Sequence, residues 1–479
     1  MSLTKLDYRN LGIITIYSLV FFVIRILPSS HSMTYDEAEQ FIDASSFQLG
    51  YLDQPPLYSW IIKCFSLVFG MNTTMMVFVY HLIAFIFLVS IYFLLKEIWQ
   101  DKYAWLIQCS FLFFFIFSYD FYRYTIHTAL ASMFCALSML IFIRIFKYKL
   151  LRDYALLGLC FGLGLLSKYN FLFFIVVLVL ACLSSKTSRS ILLNSKANLS
   201  ILIMLLVFAP HFYWLYENDF PSIAYAMQRG EAGDSTINYI GVLLNTYWNV
   251  LVYLGVFILF FFKDFNSKHL EDEPFFITLR MAGVLSILVP LFAIIVLQAG
   301  NFSQRWMAPL NIFIPLALFS FVEFKEKSLR YKLFFIVCTI MALVFYGARI
   351  SSYFFPDKFG LSFINKPHKQ IYKDLENNLS SHNITIEDVE FIGFDDITIL
   401  GGIRSFYPKA EVEILRKHSK LDLNKNKIQI IVWEASNDED FKKTLEKREE
   451  KYRYIFSKST NFLHAKELEP YQVNFAFFM

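Results

Sequence analysis

Apolar residues run in long stretches through the first three quarters of the chain and then stop. "LGIITIYSLVFFVIRIL" at 11–27 is one such stretch. Others lie near 75–95, 104–119, 126–146, 154–167, 171–184, 199–215, 239–262, 281–298, 306–323 and 332–350. A helix needs roughly 20 mostly apolar residues to cross a hydrocarbon core, so the pattern predicts an α-helical polytopic membrane protein of about eleven spans. The fifth and sixth stretches are short and separated only by "SKYN". No small-x-small cleavage site follows the first stretch, so it reads as an uncleaved span rather than a signal peptide.

From about residue 360 the pattern changes to mixed charge and short apolar runs. "IYKDLENNL" predicts a short helix, "VEFIGF" and "IQIIVW" predict strands, "DEDFKKTLEKREEKYRYIF" a charged helix and "YQVNFAFF" a last strand. The expected organisation is a transmembrane domain over 1–355, with a first outer loop at 28–57, and a small α/β domain over 360–479.

Charge sets the orientation. With the N-terminus inside, the inner segments hold Lys5, Arg9, Lys96, Lys102, Arg144, Lys147, Lys149, Arg152, Lys186, Arg189, Lys196, Lys263, Lys268, Arg280, Lys325, Lys327, Arg330 and Lys332. The outer segments hold only Lys63, Arg123, Lys168, Arg229 and Arg305, with Arg25 and Arg349 at span ends. That bias predicts a multi-pass plasma (inner) membrane protein with a cytoplasmic N-terminus and a periplasmic C-terminal domain. Charged residues are 18% of the chain, below the roughly 25% of soluble domains. The net charge of +4 gives no reason to expect nucleic acid. The six cysteines sit inside apolar stretches without a CxxC pair, which argues for packing rather than disulfides or zinc.

The polar residues that interrupt this scheme gather on the outer side. "MTYDEAEQFIDASSFQLGYLDQPPLYSW", Met33 to Trp60, carries Asp36, Glu37, Glu39, Asp43 and Asp53. Thr34 and Glu37 have the spacing of a capping box, which predicts a helix start. In one reading Glu37 caps, Asp36 favours the helix dipole and the rest are solvated; in the other Asp36 and Glu37 do chemistry. Pro55-Pro56 forms a rigid corner that returns the chain to the membrane.

This loop resembles the first outer loop of GT-C class polytopic glycosyltransferases, in particular the protein O-mannosyltransferase-like and aminoarabinose (lipid A) transferase-like families. The matching features are Asp36-Glu37, Gly50-Tyr51 and Pro55-Pro56-Leu57. "GLGLLSKYNF" at 162–171, "APHFYWLYENDFPS" at 209–222 and "QRWMAPLNIFIPLALF" at 304–319 match in the same order.

The resemblance implies a GT-C-like fold and an integral-membrane enzyme. Such an enzyme moves a sugar from a polyprenyl-phosphate-sugar donor to an envelope lipid of the lipid A or core type, a glycan or a protein, by inverting single displacement. Asp36, with Glu37 beside it, would supply the catalytic carboxylate. Lys168, Arg229 and Arg305 are the cations for the donor phosphate, with Tyr51, Gln54 and His127 around the donor. Each has a plainer reading: Lys168 and Arg305 as interfacial anchors, Arg229 as a partner of Glu231, His127 as a packed histidine.

Two departures stand out. Relatives often carry an acidic residue where this chain has Ile126-His127-Thr128, and His or Lys where it has Gln54. A divalent metal is compatible with Asp53, His127 and His211, but their spacing does not require one. The competing classes are a polytopic transporter or lipid flippase, and a sensor with an outer ligand-binding domain. A transporter is expected to show paired repeats and mid-membrane charges, which this chain lacks.

Overall fold

The computed structural model describes residues 4–28, 30–123, 125–230, 238–266, 273–325, 328–393, 396–414, 428–448, 454–465 and 467–478, without the side chains of 226, 228–230, 444–448 and 454. Along the chain the helices are α1 (Lys5–Ile26), α2 (Tyr35–Asp43), α3 (Leu57–Phe69), α4 (Thr73–Ile98), α5 (Asp101–Ser110), α6 (Phe115–Ser118), α7 (Ile126–Tyr148), α8 (Leu151–Ser167) and α9 (Phe171–Cys182). They continue as α10 (Lys186–Leu192), α11 (Ala197–Glu217), α12 (Pro221–Gly230), α13 (Tyr239–Phe261), α14 (Pro274–Val296), α15 (Gln304–Asn311), α16 (Phe313–Phe319), α17 (Leu329–Phe354) and α18 (Pro356–Phe359). The last third adds α19 (His368–Ser381), β1 (Val389–Gly393), α20 (Ile397–Phe406), β2 (Glu411–Ile414), β3 (Ile428–Glu434), α21 (Asp438–Arg448), β4 (Tyr454–Thr460) and β5 (Tyr471–Phe478).

Among the described residues, seven helices are long and apolar enough to cross a membrane: α1, α4, α7, α11, the α13 segment, α14 and α17. The other four apolar stretches are helical but short or broken. The 104–119 stretch bends by 97° between α5 and α6, which would make an eighth span if the pair counts as one. α8 and α9 are separated by Lys168, whose backbone is extended. The 306–323 stretch breaks between α15 and α16 because Pro315 has no N–H to offer the carbonyl of Asn311. α3, by contrast, is an apolar helix beyond the expected spans.

The chain forms two compact units that interleave in sequence. One comprises 1–19, 48–58 and 80–344, the other 20–47, 59–79 and 345–479. In the first, α8 packs against α7 and α11, and α14 against α9 and α16. Charges in a lipid environment are costly unless paired, and two buried carboxylates of this unit have cation partners. Lys96 meets the buried Asp7 at 2.5 Å, and Arg330 meets Asp264 at 2.8 Å.

The second unit is built on a five-stranded sheet of order β2-β1-β3-β5-β4. β1 pairs in parallel with β2 and β3; β5 is antiparallel to β3 and β4. Alternation along the strands sends Phe391, Ile430 and Val432 to the face covered by α19 and α20. Ile392, Ile431 and Trp433 point to the other face, where Trp433 stacks on Phe441 of α21 at 3.5 Å between centroids. The expected helix through "KYRYIF" ends earlier: α21 stops at Arg448, 449–453 lie outside the described residues, and Tyr454 opens β4. Pairing with β5 holds that segment extended, and its Tyr, Ile, Phe and Thr residues suit a strand. Ile42 of α2 joins the α19/α20 core, so the acidic loop helix is built into this unit.

Candidate functional site

Within the first unit, the segments singled out by motif converge. Glycines set the geometry of α8. A β-carbon at Gly158 would strike the backbone of Ser200, one at Gly162 would fall 2.7 Å from Val207 Cβ, and one at Gly164 would overlap the Phe171 ring. Their absence lets α8 lie close against α11 and lets the chain fold tightly from α8 into α9. Lys168 is fixed at that corner.

The N-terminus of α7 meets the C-terminus of α8 residue for residue. Lys168 Nζ donates to Thr128 Oγ1 at 2.7 Å, and His127 Nδ1 donates to the Ser167 carbonyl at 3.3 Å. His127 is 5% exposed, and its Nε2 meets no hydrogen-bond partner. The imidazole packs against Tyr58, 5.3 Å away, at the start of the helix that the Pro55-Pro56 corner launches.

Tyr169 closes a second network. The Leu49 carbonyl can only accept, so His211 Nδ1 donates to it at 2.8 Å and Nε2 accepts from the Tyr169 hydroxyl at 2.8 Å. Tyr169 is also 2.6 Å from Ser222 Oγ. The neighbouring Gly50 sits directly under Trp214, where a β-carbon would overlap the indole. The "LGY", "SKYN", "HFYW" and "NDFPS" segments therefore form one assembly. "QRW" joins it through Asn170, whose Nδ2 donates to the Trp306 carbonyl at 2.9 Å. Arg305 is half-buried beside it, Gln54 is half-buried, and Tyr51 is 5% exposed with its hydroxyl accepting from the Gln48 N–H at 3.4 Å. Arg229 lies in α12; its side chain and Glu231 are outside the described residues.

The second unit holds the carboxylates. The capping box is present: Glu37 N–H donates to Thr34 Oγ1 at 3.3 Å and Thr34 N–H to Glu37 Oε2 at 2.8 Å. The same Glu37 oxygen accepts from Arg25 Nη2 at 3.1 Å, and the Glu37 side chain is 2% exposed. Arg25 also donates to the Ser32 carbonyl at 2.9 Å and lies over the Phe363 ring. Sequence reasoning placed Arg25 only at a span end; its tie to Glu37 is long-range and leaves no local signature. Asp36 is half-buried beside Glu37. Ser59 donates to Gln40 at 2.6 Å and Lys63 to the Ser45 carbonyl at 2.7 Å, tying the end of α2 to α3.

Among the described residues no group of three or more His, Cys, Asp or Glu side chains comes together to hold a metal. Both nitrogens of His211 are engaged, so the cation site envisaged for Asp53, His127 and His211 would have to break that network.

Residues 53–214 match the dolichyl-phosphate-mannose-protein mannosyltransferase family. The whole chain superposes on apo ArnT from Cupriavidus metallidurans with a TM-score of 0.59, covering 97% of this chain and 98% of that one at 12% identity. Its undecaprenyl phosphate complex gives 0.57 over the same shares. The chain therefore has the fold of the GT-C class of polytopic glycosyltransferases. Two lipopolysaccharide core galacturonosyltransferases of Rhizobium johnstonii are similar to this chain in sequence. RgtB is 24% identical over 327 residues, 66% of each chain. RgtA is 28% identical over 204 residues, 42% of this chain and 40% of its own. The matched region is thus just under two thirds of one relative and two fifths of the other.

Proposed function

We propose that the protein transfers a sugar from a polyprenyl-phosphate-sugar donor to an envelope glycolipid of the lipid A or lipopolysaccharide core type. The observation that carries this reading is the convergence of the motif segments on Lys168. A half-buried ammonium beside a hydroxyl and an imidazole suits a lipid-linked phosphate. The undecaprenyl phosphate complex of ArnT and the names of the two relatives support a lipid-linked donor and a glycolipid acceptor. The unpartnered Nε2 of His127 fits a sugar hydroxyl.

Asp36 is assigned the catalytic carboxylate, because the Glu37 carboxylate is taken up by the cap and by Arg25. In an inverting displacement Asp36 takes the acceptor proton as the acceptor oxygen attacks the anomeric carbon and the polyprenyl phosphate leaves. Where the acceptor is an ionised phosphate, Asp36 orients it instead. The bias of Lys and Arg toward alternate loops supports a cytoplasmic N-terminus and a periplasmic C-terminal domain.

The test is a transfer assay on purified protein with a labelled polyprenyl-phosphate sugar and lipopolysaccharide acceptors. Labelled product with wild type and at least 100-fold less with Asp36→Asn is expected. Equal transfer by both proteins would remove Asp36 from the chemistry, and lipid flux without product would replace the enzyme reading with a transporter.

A further inference from the structure

In open α/β sheets, ligands bind outside the carboxyl ends of parallel strands, where neighbouring connections leave in opposite directions. In this sheet that point lies between β1 and β3. The chain leaving β1 runs through α20 to β2 on one side, and the chain leaving β3 runs through α21 to β4 on the other. Each strand presents a carboxylate there: Asp396, three residues past β1, and Glu434, the last residue of β3. No external ligand is needed to fill the position. Lys366 places its ammonium 2.8 Å from Asp396 Oδ2 and 2.7 Å from Glu434 Oε1, over the Tyr471 ring.

Two routes run from this lysine to α2. Asp396 caps α20 by accepting from the Thr398 N–H at 2.8 Å, and α20 packs so closely on α2 that a β-carbon at Gly401 would fall 2.6 Å from Ala38 Cβ. By the other route, the Lys366 carbonyl accepts from Ser32 Oγ at 2.6 Å. The Ser32 carbonyl accepts from Arg25, which holds Glu37.

We propose that Lys366 is a positioning residue that occupies the ligand end of the α/β sheet in cis and fixes α2, the helix that carries Asp36. This rests on the assignment of Asp36 to the chemistry. The sheet then serves as a clamp on the catalytic helix, with one lysine as its closure.

The experiment compares Lys366→Met, Lys366→Arg and Asp36→Asn in the full-length protein. Two readouts are used: hydrogen exchange of the Tyr35–Asp43 amides by mass spectrometry, and transfer kinetics. In Lys366→Met, exchange of α2 should rise tenfold or more while α7 stays protected. Its kcat should fall at least tenfold with KM for the donor within twofold, and Lys366→Arg should restore both. Unchanged α2 exchange in Lys366→Met overturns the clamp, as does a loosened α2 with undiminished kcat. Full activity in Asp36→Asn, with α2 loosened and kcat lost in Lys366→Met, overturns the Asp36 assignment and leaves the clamp standing.

Discussion

Lys168 gives its ammonium to Thr128 at 2.7 Å, joining the last turn of α8 to the first turn of α7. A hydroxyl is a weak partner for a cation, and a phosphate oxygen is a stronger one. Lys168→Met should therefore lower kcat/KM for the polyprenyl-phosphate sugar roughly 10- to 100-fold, the worth of one charge-assisted hydrogen bond, mainly through KM. Thr128→Val should have a much smaller effect. Steady-state transfer kinetics separate the two.

Adjacent carboxylates should behave oppositely. Glu37→Gln breaks a buried pair and leaves Arg25 without its counter-charge, a loss of about 3–5 kcal/mol. Asp36→Asn leaves the cap and the Arg25 pair in place, and the helix-dipole contribution it removes is roughly 0.3–1 kcal/mol. Thermal unfolding in detergent should show a larger drop for the first than for the second, while transfer activity is lost in both.

Gly50→Ala pushes a methyl group into the Trp214 indole and lifts the Leu49 carbonyl from His211. Overpacking of this kind costs about 1–3 kcal/mol. The unfolding midpoint should fall, and Gly50→Ala combined with His211→Phe should destabilise less than the sum of the two, since both break one contact.

The C-terminal domain should be acid-sensitive. Burial holds His368 neutral with its pKa well below the usual value; nearby Asp396 opposes this and Lys366 adds to it. A depressed pKa means that the unfolded chain binds the proton first, so stability is complete above about pH 6.5 and falls as pH drops below it. Burial works against the Asp396 carboxylate, but the Lys366 charge and hydrogen bond and the Thr398 hydroxyl hold its pKa below the usual value, extending the loss to lower pH. Exchange of β1 and β3 amides measured from pH 8 to 4.5 should show loosening below 6.5, and His368→Phe should flatten it.

Local signals were readable in the sequence. Hydropathy marked the long spans, the three-residue spacing of Thr34 and Glu37 marked the start of α2, and short apolar runs marked β1, β3 and β5. The bend at Phe114 was hidden because "FLFFFIF" contains neither Pro nor Gly. The strand at Tyr454–Thr460 was hidden because it follows directly on the charged run "DEDFKKTLEKREEKYR" without a Pro or Gly to mark the change. The motif segments around Lys168 were found one by one, but the bonds joining Leu49, Tyr169, His211 and Ser222 are long-range. Lys366, Asp396 and Glu434 lie far apart in sequence, and no spacing rule connects them.

The hydrogen bond from Ser32 to the Lys366 carbonyl spans 334 residues of chain. At roughly 5–20 residues per second, a ribosome needs tens of seconds to make what lies between. The loop holding α2 is therefore synthesised well before the segment that completes it. Until α20 emerges, Ala38 and Ile42 have nothing to pack on, and the helix that carries Asp36 waits unfinished while span after span is inserted. A chain truncated before residue 366 should therefore enter the membrane yet never acquire a formed α2 loop.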